Sequence, residues 1–160
     1  MSDTQSITLD QVKQGEALPS LSMDVSVTNV VLGAMASRDW RPMHHDKDFA
    51  VDSNGTKHVF VNTPHNAAYF EKYLSDWTGP KGRLGRIKFR MRDSVFPGDK
   101  MDFVGKIEDV RTDDTGCGWA DVSIELKVGD NVTTLCEASV AIPVTDDDNP
   151  WKRRGDDWRP

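Results

Sequence analysis

The stretch 58–80, HVFVNTPHNAAYFEKYLSDWTGP, decides the fold, because it predicts one long helix with little polar surface. Its large apolar residues recur at helical spacing in two rows, formed by Tyr69, Tyr73 and Trp77 and by Phe70 and Leu74. With Ala67 and Ala68, these rows make the helix apolar around much of its circumference. Such a helix must be wrapped by other elements of the fold.

Both ends of this helix carry their own signals. Thr63 is a suitable N-cap, and Pro64 suits the first helical position, where its missing N–H would have no partner anyway. Gly79 fits the position after the helix, and Pro80 prevents its continuation. The pattern therefore predicts a helix that begins at Pro64 and ends before Gly79.

Four stretches of alternating polarity follow the helix and predict the sheet that wraps it. They are RIKFRMR (86–92), MDFVGKIEDV (101–110), WADVSIELKV (119–128) and VTTLCEASVAIPV (132–144). In the first stretch the apolar residues share one face and the cations share the other, namely Arg86, Lys88, Arg90 and Arg92. Upstream, LSMDVSVTNVV (21–31) predicts a short strand, and VVLGAMASR (30–38) predicts a short helix or turn.

These elements predict an α+β, hotdog-like fold, in which an antiparallel sheet is wrapped around one long central helix. Strands that are consecutive in the chain are expected to pair, and an exposed edge strand favours a dimer with a shared sheet. The 160-residue chain is expected to hold one such domain at 18–145. A polar lead-in at 1–17 and a charged, mobile C-terminal tail at 146–160 are expected to flank it.

Composition excludes several classes of function. The net charge of −6 argues against generic nucleic-acid binding, and no apolar run is long enough to span a membrane. The N-terminal stretch is polar and lacks a signal-peptide core. The spacing of Cys117 and Cys136 fits neither a zinc site nor a redox pair. Cys136 alternates with apolar residues in a predicted strand, so we expect it to be a buried, reduced thiol, and we expect a cytoplasmic location.

The loop 37–50, SRDWRPMHHDKDFA, concentrates acids and histidines, and three interpretations stay open. It can be a solvated or helix-capping loop. It can bind a metal through His44, His45 and Asp46, although adjacent histidines chelate poorly and no HExxH pattern is present. It can also hold an acid–base pair, Asp39 and His44, around one water molecule, since Pro42 stiffens the span between them.

A family resemblance favours the acid–base interpretation. Asp39, Pro42, His44 and Ala50 form D-x-x-P-x-H-x5-A, which resembles the D-x-N-P-[LIV]-H-x5-[AS] signature of MaoC-like (R)-specific enoyl-CoA hydratases. The later VFPGD (95–99) is also similar to that family. The chain departs from the pattern at Arg38, where glycine is usual, at Arg41, where asparagine is usual, and in VNTPHN (61–66), which lacks a glycine often found there.

A more specific resemblance rests on four stretches. ASRDWRPMHHDKDFA (36–50), FVNT (60–63), YLSDWTGP (73–80) and VFPGD (95–99) resemble the small, single-hotdog subunits of actinobacterial heteromeric steroid enoyl-CoA hydratases. This resemblance implies a second MaoC-like hotdog subunit, in a heterodimer or heterotetramer, that leaves room for a bulky acyl group. A homodimer is the alternative, and an OB-fold protein and a thiolase or aldolase are further expected partners.

The resemblance also implies a reaction and its residues. Asp39 and His44 would add water to a trans-2-enoyl-CoA in steroid side-chain or fatty-acid β-oxidation, giving a 3-hydroxyacyl-CoA. No metal and no redox cofactor is implied, and CoA is part of the substrate. Backbone N–H groups at Asn62 and Thr63 would stabilise the thioester oxygen. Arg83 and Arg86 are candidates for the CoA phosphates, with a solvated strand face as the alternative.

Three other classes of function remain open at this stage. An acyl-CoA thioesterase would also use a carboxylate, but the predicted helix offers only Glu71 and Asp76, both late in it. A non-catalytic hotdog subunit would complete a partner's active site, although it would have no chemical reason to keep both Asp39 and His44. A small-ligand binding module would use the loop only to cap its pocket.

Overall fold

The computed structural model describes residues 5–160, so the first four residues of the predicted lead-in lie outside the described residues. In chain order the elements are β1 (Leu21–Asp24), α1 (Val27–Ala36), α2 (Thr63–Thr78), β2 (Arg83–Met91), β3 (Lys100–Thr112), β4 (Gly118–Val128) and β5 (Asn131–Ile142). The strands form one antiparallel sheet that wraps α2. The predicted α+β class is therefore confirmed. No helix among the described residues has both the length and the apolar character needed to cross a membrane.

Strand order in the sheet is β1-β3-β4-β5-β2, so β3, β4 and β5 pair in succession as expected, whereas β2 does not pair with β3. β2 pairs with β5 and lies at an edge, far from β3. The reason is the connection 92–99, which packs on the segment before α2 instead of forming a hairpin turn. Val95 is fully buried there, and its carbonyl oxygen accepts a hydrogen bond from the N–H of Val61 at 3.0 Å.

Helix α2 supplies the centre of the core, as the aromatic spacing predicts. Phe70 and Leu74 are buried, and the Phe103 ring of β3 packs 5.6 Å from the rings of both Phe70 and Tyr73. The predicted N-cap was wrong by one residue. Asn62 caps the helix, because its side chain accepts from the N–H of His65 at 3.1 Å, and Thr63 is already helical.

The C-terminal segment 146–160 packs on the start of β2, which differs from the expected mobile tail. The Trp158 ring lies 5.1 Å from the ring of Trp119. The guanidinium of Arg83 lies 3.5 Å from the centroid of Trp158, and the indole N–H of Trp151 donates to the carbonyl of Gly82 at 3.1 Å. Trp151 and Trp158 thus give this charged segment enough apolar surface to pack on the domain.

The two cysteines are free and buried, which confirms the prediction made for Cys136. Burial raises the pKa of the Cys136 thiol to about 12, so this thiol stays protonated. Cys117 lies in a small second cluster with Trp119 and Ala141. Both thiols therefore belong to packing.

Candidate active site

The end of α1 aims Asp39 into the molecule. After the helix, Arg38 adopts a left-handed backbone conformation with φ +56°, and the N–H of Asp39 donates to the carbonyl of Ala34 at 2.9 Å. Glycine adopts this conformation without strain, whereas a residue with a Cβ is disfavoured there. Arg38 therefore adopts the backbone turn that a glycine would allow at this position, although it carries a side chain.

A short 3-10 turn, Pro42–His44, then places His44 in the interior with 2% of its surface exposed. Its Nδ1 lies 2.9 Å from the carbonyl oxygen of Phe60, and the two rings meet edge to face at 4.7 Å. Because a carbonyl oxygen only accepts, Nδ1 must carry the proton of a neutral imidazole. The other nitrogen, Nε2, then presents a lone pair.

That lone pair faces the carboxylate. The Nε2 atom of His44 lies 3.5 Å from Oδ2 of Asp39. A neutral Nε2 is an acceptor that faces another acceptor, and Oδ2 already accepts from Arg41 and Asn62. Nε2 is therefore the atom that needs a donor, and a water molecule beside the pair would supply it, which is the geometry that acid–base chemistry on water requires.

The carboxylate of Asp39 is held in its ionised form. Its side chain is 9% exposed and receives two parallel hydrogen bonds from Arg41, at 2.8 Å to Oδ1 and 2.9 Å to Oδ2. These bonds hold the pKa of Asp39 well below its usual range, against the effect of burial, and a hydrogen bond from Asn62 and the nearby His44 lower it further. Asp39 is therefore a stable anion and a weak base.

The first residues of α2 complete the site. The Asn62 amide nitrogen donates to Oδ2 of Asp39 at 3.0 Å and to the Ser37 hydroxyl at 2.9 Å, while its oxygen caps the helix. Thr63 follows at the first helical position, where a backbone N–H has no intrahelical partner. The structure thus brings Asn62 and Thr63 to the Asp39–His44 pair, with the Asn62 side chain making the contact.

Arg83 and Arg86 lie elsewhere. The Arg83 guanidinium donates to the carbonyls of Pro150 and Arg153, at 3.1 and 3.2 Å. Arg86 is exposed on the outer face of the sheet. The Thr63 hydroxyl contacts Met91 at the far end of β2, so the site lies near that end, roughly 26 Å along the strand from Arg83 at a typical rise per residue.

The other two residues that could have bound a metal with His44 do not share its buried position. His45 and Asp46 are exposed, and the Asp46 carboxylate accepts from the N–H of Phe49 at 3.0 Å, as a capping residue does. Among residues 5–160, no three metal-binding side chains are grouped closely enough to form a site. The exposed part of the loop therefore has the capping role that was one of the three interpretations.

Sequence reasoning missed two groups of this site. The Ser37 hydroxyl reaches it through Asn62, and the Phe60 carbonyl orients His44. No sequence signal reports a backbone carbonyl. Ser37 also borders an apolar groove of about 440 Å³ between α1 and the start of α2, lined by Leu32, Gly33, Ala36, Pro64, His65 and Ala68 among others.

Comparison with known proteins identifies the family of the chain. The model of the MaoC like domain matches residues 10–126. The chain is 32% identical to the 3-oxo-4,17-pregnadiene-20-carboxyl-CoA hydratase beta subunit of Mycobacterium tuberculosis, over 79% of this chain and 95% of that protein.

Solved structures are similar as well. A chain of the ChsH1-ChsH2 complex from Mycobacterium tuberculosis superposes with a TM-score of 0.75 at 25% identity, over 82% of this chain and 98% of that one. The (R)-hydratase from A. caviae involved in PHA biosynthesis gives 0.73 at 22% identity over the same shares, which supports the hotdog fold. The helix, the wrapped sheet, the Asp39–His44 pair and these matches together show that the chain belongs to the MaoC-like domain family.

Proposed function

We propose that this protein hydrates a trans-2-enoyl-CoA, using one water molecule held by Asp39 and His44. The observation that carries the proposal is the approach of two acceptors, Nε2 of His44 and Oδ2 of Asp39, to 3.5 Å, with Nδ1 of His44 tied to a carbonyl. This arrangement leaves Nε2 able to take a proton and later return it. Membership of the MaoC-like family supports hydro-lyase chemistry.

The low pKa of Asp39 leaves His44 as the member of the pair that accepts and returns protons. The water oxygen adds to C3 of the substrate while one water proton moves to Nε2 of His44. The resulting imidazolium gives a proton to C2 on the same face, so the elements of water are added and His44 returns to its starting state. Asp39 stays ionised, orients the water and stabilises the imidazolium. These steps need no metal and no redox cofactor.

Charge that develops on the thioester oxygen would be stabilised at the start of α2. The N–H groups of Asn62 and Thr63 lie in the region where the helix dipole favours negative charge. Contacts of Arg83 and Arg86 with the CoA phosphates stay predictions, and Arg83 would first have to leave the C-terminal carbonyls.

For the acyl group we propose a ring-bearing steroid, because the curated relative is a hydratase subunit for a pregnadiene carboxyl-CoA. We also propose that the chain works with a second MaoC-like subunit, since that relative is a beta subunit and the similar structure is a complex. An OB-fold protein and a thiolase or aldolase remain further predicted partners.

The test follows loss of ultraviolet absorbance by the conjugated enoyl thioester, with crotonyl-CoA and a steroid enoyl-CoA as substrates. Wild type, Asp39→Asn and His44→Ala are compared, alone and with a MaoC-like partner. We expect hydration by wild type only, faster with the steroid substrate. Equal rates for all three chains beside the partner would make this chain a non-catalytic subunit, and release of free CoA would indicate a thioesterase.

A further inference from the structure

We propose that the outward face of β2 selects its partner by charge: it disfavours pairing with a second copy of this chain and fits a partner subunit whose edge strand is acidic. This inference rests on the proposed function only for the need of a second subunit. β2 lies at the edge of the sheet, and only β5 pairs with it among the described residues. Its other side therefore presents open backbone donors and acceptors, to which another strand can add.

The outward face of this edge is strongly basic. Strand β2 and the residue that follows it carry four exposed cations at alternate positions, namely Arg86, Lys88, Arg90 and Arg92. Within residues 5–160 none of these side chains forms an ion pair. The residues opposite them on β5 supply little negative charge, with Ser139 opposite Arg86, Glu137 opposite Lys88 and Leu135 opposite Arg90. The nearby carboxylate of Asp121, one strand further in, is already paired with Arg111.

Two copies that paired through β2 would place most of these cations against each other in the registers centred on residues 88, 89 and 90. A two-fold axis perpendicular to the sheet keeps both central helices on the same side and leaves each outward face outward. Directly opposite residues of antiparallel strands share a face, so the even-numbered cations would meet even-numbered cations. Centred on residue 89, for example, Arg86 would face Arg92 and Lys88 would face Arg90. Shifting the centre to residue 88 or 90 changes the pairs but not their sign.

Like charges directly opposite across a strand pair are destabilising, and opposite charges are stabilising. In the register centred on residue 89 the inward face does not oppose pairing, since Ile87 would meet Met91 and Phe89 would meet Phe89 of the other copy. The outward face therefore decides the choice. A strand with Asp or Glu at the matching alternate positions would exchange several repulsions for attractions, which makes a mixed dimer the preferred product.

The experiment mixes the full-length wild type with the full-length variant Arg86→Glu, Lys88→Glu, Arg90→Glu and measures association by fluorescence-detected sedimentation. At a low salt concentration of about 0.05 M we expect mixed dimers at least about tenfold tighter than dimers of either chain alone. At about 0.5 M salt the difference should shrink, because exposed charges are screened.

A matched control carries the same change in net charge away from β2, as Lys13→Glu, Lys47→Glu, Lys152→Glu. Equal association of this control with wild type would mean that net charge, and not the strand, is responsible, and would overturn the proposal. Wild type alone gives an independent measurement, since its self-association should strengthen as salt is raised. Tight wild-type dimers at low salt that weaken with salt would overturn the proposal, whatever the hydratase assay shows.

Discussion

Two carboxylates of this protein are held as anions, and only one of them forms part of a candidate active site. Asp39 lies between α1 and α2, and Asp113 lies in the turn between β3 and β4. Each has a pKa below its usual range and each receives several hydrogen bonds. A low carboxylate pKa is therefore not enough to identify the site.

The donors differ between the two. The pKa of Asp113 is lowered to about 2 although burial opposes the shift, because its carboxylate accepts from the hydroxyl and N–H of Thr115, the N–H of Cys117 and the indole N–H of Trp119. All these donors are neutral and lie within six residues of Asp113 in the chain. Asp39 is instead held by the long, charged side chain of Arg41, which is 62% exposed. The Oδ2 atom of Asp39 faces the lone pair of His44.

This difference explains why one carboxylate is structural and the other a candidate for catalysis. The donors of Asp113 close its turn, and no ion pair joins Asp113 to a histidine among residues 5–160. Asp39 has a second group next to it that can take and return a proton. A functional carboxylate is thus recognised by the neighbouring group that can accept and return a proton.

The largest expected effect is on turnover. Asp39→Asn or His44→Ala should lower the rate of enoyl-CoA hydration by about 10²- to 10⁴-fold, the usual contribution of positioned acid–base groups. Asp113→Asn is the matched change at the other carboxylate and should leave the rate per folded molecule unchanged. Steady-state kinetics on all three variants checks the comparison, and a similar loss for Asp113→Asn would contradict it.

Stability should respond in the opposite order. Asp113→Ala removes the acceptor for the buried indole of Trp119 and for two backbone N–H groups, so it should lower the free energy of unfolding by about 1–3 kcal/mol. Urea denaturation measures this change. Asp39→Asn is the comparison variant and should cost less, because an amide can still accept from Arg41. A larger loss for Asp39→Asn would reverse the assignment of roles.

Lowering the pH should also reveal the contribution of the Asp113 carboxylate to stability, without the loss of side-chain volume that Asp113→Ala causes. Its pKa is about 2 in the folded protein and lies near its ordinary value of 3.8 when unfolded, so its stabilising effect is present above about pH 4 and is lost as pH falls toward 2. The difference in unfolding free energy between wild type and Asp113→Asn should therefore shrink over this window. Urea titrations at several pH values measure it, and a constant difference would count against the low pKa.

The smallest expected effect concerns Arg41. Arg41→Asn restores the residue usual in the family and removes two hydrogen bonds from Asp39, so the pKa of Asp39 should rise toward its ordinary range. The titration midpoint of the Asp39 carboxyl, followed by NMR of the labelled side chain, should then move to higher pH, while kcat/KM near neutrality changes only a few-fold because Asp39 is still ionised there. Arg38→Gly is a matched control in the same loop and should leave the midpoint in place. An unmoved midpoint in Arg41→Asn would show that Arg41 does not tune Asp39.

Much of the site was predictable, and the parts that were not share a cause. Asp39 and His44 stand out because the loop joins a spaced motif to a stiffening proline, and the structure does bring them together. The cap was wrongly assigned to Thr63, since Asn-Thr-Pro offers two suitable caps in succession, and the hydrogen bond from the Asn62 side chain to Asp39 was not predicted. Arg83 looked available for phosphates because its partners lie about seventy residues later in the chain.

The sequence by itself determined the central helix, the four long strands, the burial of Cys136 and the loop motif. Those features depend on the chemistry of neighbouring residues and on the periods of helix and strand. Only the tertiary structure decided that β2 leaves its neighbour β3 for an edge beside β5, and that the C-terminal tryptophans hold Arg83. It also decided which nitrogen of His44 faces Asp39. These outcomes depend on contacts between residues far apart in the chain, which no local pattern encodes.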